Sequence, residues 1–249
     1  MASVQSQIQK LYENGVFLEK IPFSESEICD NIELSKEDNL SERIIRNALW
    51  NLLCIRFSKS EEEKLLVFEE PFMKNSYING IDASKKLYCE AVAGGEGEVY
   101  AALKLAALCR TSSDASPVAE ISICPNETTV PDINKMARRC CDFFSTSRRV
   151  IKFNFDFEGA YNEKVSCGKG DFLTKDGIWS ISVSKALPSE FEFVLLAAQY
   201  VLGQHCHDAA KFRKIKNLGI FNPRLCRAFS VNVGDIPKDI ISVLTKELY

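Results

Sequence analysis

The sequence contains no apolar run that approaches the roughly 18–20 residues a helix needs to span a bilayer. Its N-terminus, Met1-Ala2-Ser3-Val4-Gln5, lacks the basic and apolar regions of a signal peptide. The ten cysteines form no CxxC pair, so neither a zinc ribbon nor a redox motif of that kind is visible. These absences predict a cytoplasmic protein with no membrane partner, in which most cysteines are small buried hydrophobic residues.

The net charge of −3 does not by itself indicate nucleic-acid binding, but the charges are unevenly distributed. Residues 25–42 hold seven acids and one lysine, whereas residues 205–227 hold six basic residues and one acid. The basic residues of the second stretch that we take as candidate phosphate contacts are Lys211, Arg213, Lys214, Lys216 and Arg224. The alternative interpretation is a solvated charged loop.

The first half of the chain, residues 1–125, is predicted to be a mainly helical region of unknown role. Apolar residues recur at helical spacing after Ser41, which is suited to capping a helix N-terminus. The predicted helices are Val4–Tyr12, a segment from Ser41 to Phe57, and Glu98–Cys109. Lys64–Phe68 and Lys86–Val92 are predicted as strands, and Thr111–Pro117 as a loop at a domain boundary.

The second half has clearer local signals. Pro131 suits the first turn of a helix, and Val150–Phe157 alternates apolar and polar residues with the period of a strand. Ser189 with Glu192 forms the pattern of a capping box, and Gly203 suits the end of that helix. Further strands are predicted at Asp171–Thr174, Ile178–Ser184, Leu218–Phe221 and Ala228–Val233, and a final helix at Lys238–Leu248. From residue 131 the predicted order is α-β-β-β-α-β, followed by a strand and a helix.

Four segments of this half resemble a bacterial family of nuclease-like proteins in the PD-(D/E)xK superfamily. They are Phe155–Tyr161, Gly170–Thr174, Ile178–Lys185 and Leu218–Leu225. The resemblance implies a nuclease-like domain at residues 126–249 with a restriction-endonuclease-like αβββαβ core. The chain as a whole is therefore expected to be an α/β protein with a mixed central sheet and a mainly helical N-terminal region.

The resemblance also implies where a nuclease site would lie. Nucleases of this architecture hold Mg²⁺ with carboxylates at the edge of the sheet, and they carry an acid and a lysine two residues apart on the third strand. Family members read Trp-Asp-Phe-Lys there, where this chain reads Trp-Ser-Ile-Ser. Asp171 therefore occupies the position of the first metal ligand, Ser180 that of the second acid and Ser182 that of the lysine.

The expected function is accordingly a nuclease-like protein that has lost catalysis and needs no cofactor. It would bind nucleic acid or scaffold a protein partner or a second copy of itself, in bacterial antiviral defence or DNA processing. One alternative is an active Mg²⁺-dependent nuclease with a rearranged site, with Asp171, Glu158 and Lys185 as catalytic residues and Asp156 and Asp176 as further acids. The other alternative is a structural interaction module that does not contact nucleic acid.

Two further groups invite a functional interpretation and also have an ordinary structural one. His205, Cys206 and His207 are metal-friendly donors, but three consecutive residues do not close a tetrahedral zinc site, and contacts near a helix end are expected instead. Tyr161 and Trp179 are able to stack on a base, while packing in the core is the default expectation.

Overall fold

The structure is a computed structural model that describes residues 2–17, 20–28, 30, 32–35, 37–65, 80–92, 96–108 and 124–249. The chain divides into two compact units. The first, called here the sheet unit, comprises Met1–Asp30 and Phe143–Tyr249, and the second, the helical unit, comprises Asn31–Asp142. The predicted domain boundary between residues 125 and 126 stays a prediction, because compactness does not test whether a segment folds independently.

The secondary structure alternates helices and strands along the sheet unit, whereas the regular elements described in the other unit are helices. In chain order the elements are β1 (Ala2–Ser3), α1 (Val4–Glu13), β2 (Ser24–Glu27), α2 (Glu42–Phe57), α3 (Gly80–Val92), α4 (Glu96–Leu108), α5 (Thr129–Asp142), a π-helical turn (Phe143–Ser147), β3 (Val150–Asp156), β4 (Val165–Cys167), β5 (Lys169–Thr174), β6 (Gly177–Ile181), α6 (Glu190–Gly203), α7 (Ala209–Phe212), β7 (Asn217–Asn222), β8 (Arg227–Asn232), a 3₁₀ turn (Val233–Asp235) and α8 (Lys238–Leu248).

The helical unit corrects one predicted strand outright. Lys86–Val92 lies inside α3, where Leu87 and Ala91 are both buried. These two residues are four apart and therefore fall on one face of a helix, a spacing that outweighs the β-branched and aromatic character of the segment. Of the predicted strand Lys64–Phe68, the first two residues are helical and the rest lie outside the described residues, as does the predicted loop Thr111–Pro117.

Among the described residues, the main sheet has six strands in the order β2-β8-β7-β6-β5-β3 and is mixed. Strands β6 and β7 are parallel, as the helical crossover between them requires, and every other neighbouring pair is antiparallel. A separate short parallel pair joins β1 to β4. The fold is thus mixed α/β, as predicted, whereas the restriction-endonuclease-like core stays a prediction.

The predicted elements of the second half are found in the predicted order, with small differences at their ends. β4 is inserted between β3 and β5, and α7 lies between α6 and β7. Strand β6 ends at Ile181 rather than at Ser184, so the last three residues of the predicted strand belong to a connection. The predicted terminal helix Lys238–Leu248 is confirmed.

The two faces of the sheet are covered by different kinds of side chain. On one face, Leu173, Ile178 and Leu218 are fully buried in a core that also contains apolar residues of α1, α6 and α8. On the other face, Phe143 stacks on Phe221 with ring centroids 4.2 Å apart, and Phe144 stacks on Phe172 at 3.8 Å. Each such aromatic pair contributes about 0.5–1.5 kcal/mol beyond the burial of its area.

The edge strand β3 alternates less strictly than its sequence predicts. Phe155 is buried and so is Phe157, which follows the strand, but Ile151 is 39% exposed. The register against β5 shifts between Val150 and Lys152, and Asn154 has a φ of 48°. Each irregularity interrupts the alternation of side chains between the two faces of the sheet. This explains why Ile151 is exposed although Phe155 is buried.

Candidate functional site

Asp171 lies near the start of β5 and is bonded to the neighbouring strand β6. Its Oδ2 accepts a hydrogen bond from the Ser180 hydroxyl at 2.8 Å and another from the Ile181 backbone N–H at 2.9 Å. The structure therefore brings together two of the three positions that the resemblance implies, Asp171 and Ser180.

The bond to Ile181 replaces a missing backbone bond between the strands. Successive N–H groups of a strand point to opposite neighbours, and the Ser182 N–H donates to the Phe221 carbonyl, which follows from pairing with β7. The Ile181 N–H therefore faces the β5 side, where the recorded pairing of β5 with β6 reaches only Phe172 opposite Trp179. The carboxylate of Asp171 accepts this N–H in place of a carbonyl.

Ser182, the third position, lies just past the end of β6. Its Oγ accepts from the Ser184 N–H at 3.4 Å, so its side chain turns back onto the local chain. The connection that follows is anchored from β7 and the turn after it. The Asn222 amide donates to the Ser184 carbonyl at 2.8 Å, and Arg224 Nε donates to the Val183 carbonyl at 2.8 Å. We call the group of Asp171, Ser180 and Ser182 the notch.

The candidate replacement acids are placed elsewhere. Glu158 is exposed in the turn after β3, and its backbone bonds to Asp156 Oδ1 and to the His207 N–H. Asp156 is exposed and pairs in register with Lys169. Asp176 lies in the β5–β6 hairpin, at the opposite end of these strands from the notch.

The notch offers few oxygen ligands to a cation. Within the described parts of the chain, no group of three or more His, Cys, Asp or Glu side chains comes together that could hold a metal ion. Asp171 is the one carboxylate of the notch as defined here, and Mg²⁺ held by one or two carboxylates depends on waters and substrate phosphates for its remaining ligands. Lys185, the candidate replacement lysine, is exposed in the bend that follows β6.

The candidate phosphate contacts divide into three environments. Arg213, Lys214 and Lys216 are exposed. Lys211 bonds to Asp208 Oδ1 at 2.7 Å, and Lys152 bonds to the other oxygen of the same carboxylate. Arg224 is only 8% exposed and belongs to the anchored connection described above, so it is not part of an exposed basic surface.

The Asp208 carboxylate lies between Lys152 and Lys211, and these two cations shift its pKa. Hydrogen bonds from Lys152 and then Lys211 lower the pKa of Asp208 below its ordinary value, against a smaller opposing effect of burial. Lys152 stands 56 residues before Asp208 in the chain, so no local sequence pattern could have indicated this ion pair.

The three donors His205, Cys206 and His207 face different partners. The His205 ring lies 4.1 Å from that of Tyr249, and the Cys206 thiol donates to the Gly203 carbonyl at 3.1 Å. The His207 ring packs against Gly159, whose φ of 92° suits a residue without a side chain. The three donors therefore do not converge, and the ordinary structural interpretation applies to each.

The two aromatic residues considered for base stacking are structural. Trp179 is fully buried and lies across Gly177 and Gly219, where a Cβ atom would collide with its indole ring. The Tyr161 hydroxyl donates to the Gly168 carbonyl at 2.8 Å and accepts from the Phe157 N–H at 3.0 Å. Neither side chain is presented as a stacking platform.

Arg148, Arg149 and Lys175 are exposed or half-exposed cations that the sequence did not single out. The adjacent arginines immediately precede β3, and Lys175 lies in the β5–β6 hairpin. The pair Arg148-Arg149 is the signal that could have drawn attention to this region. Its proximity to Lys175 depends on strand pairing and is not visible in the sequence.

Comparison with models of known protein families, with curated proteins and with solved structures finds no match to this chain. Among the helices of the described segments, none combines the length and the apolar character that crossing a bilayer demands.

Proposed function

We propose that this chain is a nuclease-like protein of the PD-(D/E)xK type that does not cleave, and that it binds nucleic acid or scaffolds an active partner. The main support for this proposal is that Oδ2 of Asp171 accepts hydrogen bonds from the Ser180 hydroxyl and the Ile181 N–H. The Oδ2 atom of Asp171 takes the place of a backbone acceptor between two strands, and a metal ion bound to this oxygen would leave the Ile181 N–H without its acceptor.

The loss of the other two groups supports the same conclusion. Without a second acid at position 180, the charge that holds a divalent cation is halved, because Ser180 is neutral and donates to Asp171. Position 182 carries a serine, so it supplies no cation of its own to stabilise developing charge on a phosphate. A role in antiviral defence or DNA processing is proposed from the resemblance alone.

Nucleic-acid binding is supported by the exposed cations Arg213, Lys214 and Lys216. Side chains of this kind neutralise phosphates and release counterions, which gives an affinity that falls steeply with salt. The matching measurement is the affinity for labelled duplex DNA, single-stranded DNA and RNA over a salt series. If none of the three binds at about 50 mM salt, the nucleic-acid part of the proposal is wrong and a structural interaction role takes its place.

A cleavage assay tests the loss of catalysis. The wild-type chain and Asp171→Asn are incubated with plasmid and with single-stranded DNA in Mg²⁺ or Mn²⁺, and the expected result is no cleavage by either protein. Cleavage by the wild type that disappears in Asp171→Asn would overturn the proposal in favour of an active enzyme. The substitution to Asn keeps an acceptor for Ser180 and Ile181, so the comparison is not confounded by unfolding.

A restoration experiment tests the position of the site. The double variant Ser180→Asp with Ser182→Lys places two carboxylates side by side, which repel each other until a cation binds. We expect its melting temperature to be lower than that of the wild type in chelator and to rise on addition of Mg²⁺ or Mn²⁺. The matched control, Ser180→Asn with Ser182→Gln, has the same bulk and should not respond. An unresponsive double variant would mean that positions 171, 180 and 182 do not form a latent metal site.

A further inference from the structure

The end of the sheet that carries the β5–β6 hairpin gathers cations from three separate chain segments. Val150 pairs with Thr174, so Arg148 and Arg149 lie beside the hairpin residue Lys175. The Lys216 N–H donates to the Asp176 carbonyl at 2.8 Å, which brings the connection before β7 to the same end. We call the cations Arg148, Arg149, Lys175, Lys214 and Lys216 the basic end.

The basic end has few acids to neutralise it. Arg149, Lys175, Lys214 and Lys216 are exposed. Of the described acids in the sheet unit, Asp176 lies in the hairpin, Asp235 lies in the 3₁₀ turn after β8, and Asp208 precedes α7, where it is bonded to Lys152 and Lys211. None of these four cations forms an ion pair with another described residue, unlike Lys152 and Lys211, which share Asp208. Excess positive charge at one edge therefore remains open to solvent and to an anion.

Arg148 is held in place by an aromatic ring rather than by an acid. Its guanidinium carbon lies 3.9 Å from the centre of the Trp179 ring and 5.3 Å from that of Phe143. Its Nε is buried without a hydrogen-bond partner among the described residues. Burial lowers the pKa of Arg148, and Asp176 offsets part of that change, but an arginine stays charged.

The Trp179 indole nitrogen supplies a second unpartnered donor at this end. Trp179 is fully buried, and its Nε1 has no hydrogen-bond partner among the described residues. The nitrogen lies over Gly177, the first residue of β6, where a Cβ would come within 2.5 Å of it. Arg148 lies beside it, is partly desolvated and forms no ion pair with a described carboxylate. A phosphate that bound there would form a strong charge-assisted hydrogen bond with its guanidinium group.

The notch lies at the other end of the same strands. Gly177 pairs with Asn217 and Ser180 pairs with Ile220, so Ser180 and Lys216 are four residue levels apart. At about 3.3 Å per residue this is about 13 Å along the sheet. A phosphate that contacts the basic end does not lie against Asp171.

We infer that the basic end, rather than the notch, is the surface that binds the phosphate backbone of nucleic acid. Four strands at about 4.8 Å spacing make a row about 14 Å wide, which spans about four base-pair steps of 3.4 Å. Because the basic end offers exposed guanidinium and ammonium groups of the kind that neutralise phosphates, the binding is expected to be independent of sequence. The inference rests on the proposed nucleic-acid binding and assigns it to a surface.

The test is a pair of charge-matched triple variants of the full-length chain. The first, Arg149→Gln with Lys175→Gln and Lys216→Gln, removes three cations of the basic end. The control, Lys10→Gln with Lys169→Gln and Lys246→Gln, removes three exposed cations elsewhere in the sheet unit, one of them at the far end of β5. Fluorescence anisotropy with a labelled duplex and a labelled single strand gives the affinity over a salt series, and thermal unfolding confirms that both variants are folded.

The first variant is expected to bind more than tenfold more weakly at about 0.1 M salt. For the duplex, the negative slope of log affinity against log salt is expected to become shallower by about 2.7. The control is expected to keep most of the wild-type affinity and slope. Equal losses in the two variants would overturn the inference, since binding would then follow net charge alone, while nucleic-acid binding itself would stand. Absence of binding by the wild type would instead reject the proposed function on which the inference rests.

Discussion

Asp171 shows how a single side chain can complete a sheet where the backbones of two strands no longer pair. Its Oδ2 accepts hydrogen bonds from the Ile181 N–H and from the Ser180 hydroxyl, and removal of this oxygen would take an acceptor from both donors in a half-buried setting. An unsatisfied buried donor costs about 1–3 kcal/mol, which is comparable to a sizeable part of the stability of a domain. The residue therefore has a structural role whatever its ancestry.

We predict that Asp171→Ala lowers the free energy of unfolding by about 2 kcal/mol, because it removes an acceptor from two donors at once. Asp171→Asn keeps an acceptor oxygen and should cost clearly less. Urea unfolding of the two variants and the wild type measures the difference. If alanine and asparagine are equally tolerated, these hydrogen bonds do not support the fold.

Tyr249, the last residue of the chain, gives a residue-scale prediction about alkaline pH. Burial, and to a lesser extent Cys206, raises the pKa of Tyr249 from 10.0 to about 12. The folded state therefore holds a proton that the unfolded state loses above about pH 10. The contribution of Tyr249 to stability is complete below that pH and is lost as the pH rises towards 12.

In Tyr249→Phe this loss between pH 10 and 12 should be absent, so the stability of the variant should fall less steeply over that range than the wild type does. Urea unfolding at several alkaline pH values measures the slope, and ultraviolet titration of the phenol gives its pKa directly. A phenol that titrates near 10 would contradict the prediction. Phenylalanine keeps the ring that packs on His205, so the packing is conserved.

Helix α6 shows what local signals control at the scale of an element. Ser189 ends the preceding connection in an extended conformation, and the Glu192 carboxylate accepts its backbone N–H at 2.8 Å and its hydroxyl at 3.0 Å. The helix then buries Phe193, Val194 and Ala197 against the sheet core. The Glu192 side chain thus supplies an acceptor for the N-cap residue Ser189 and helps to define the residue at which the helix begins.

We predict that Glu192→Ala destabilises the protein by about 1 kcal/mol, since it removes the acceptor for Ser189. The matched control is Glu190→Ala, which removes a charge from the same first turn and so carries the same effect on the helix dipole. Thermal or urea unfolding of both variants separates the cap from the dipole. Equal effects of the two substitutions would mean that the charge, and not the hydrogen bond, is what stabilises this end.

At the scale of the whole molecule, the sheet unit is assembled from both ends of the chain. β2 adds to the edge of the main sheet by pairing with β8, and β1 pairs with β4. Helix α1 buries Val4, Ile8 and Leu11 in the same core as the apolar residues of α6. The core of the sheet unit is therefore completed by the first 30 residues of the chain, far away in sequence.

A fragment of residues 126–249 is accordingly expected to be poorly folded, because the core that α1 covers would be exposed to water. We predict that it binds a hydrophobic dye and lacks a cooperative thermal transition. A synthetic peptide of residues 1–30, added in trans, should restore the transition. A peptide of the same composition in scrambled order is the control, and a cooperative transition of the fragment alone would contradict the prediction.

The sequence was enough to predict which residues of the candidate site lie on neighbouring strands. It was not enough to predict the hydrogen bonds that these residues form. The sequence placed Asp171 and Ser180 on neighbouring strands, because the hairpin Lys175-Asp176-Gly177 sets their register. It did not show that Asp171 accepts the Ile181 N–H, since that bond depends on where the pairing of β5 with β6 stops. Glu158 was grouped with the site by type and by proximity in sequence, but it lies exposed in the turn after β3, where its backbone bonds to Asp156 and His207.

The elements whose signals are local were predictable from the amino-acid sequence alone. Capping residues, glycines and hydrophobic periodicity fix α2, α6, β5, β6 and α8, because each depends on contacts within a few residues. The features that depend on residues distant in sequence became evident only in the folded structure. Strand β2 is exposed at all four residues and exists because β8 pairs with it, and Arg148, Lys175 and Lys216 become neighbours only when four strands align. Long-range pairing leaves no periodic trace in a single chain, so these features could not be deduced before the fold was known.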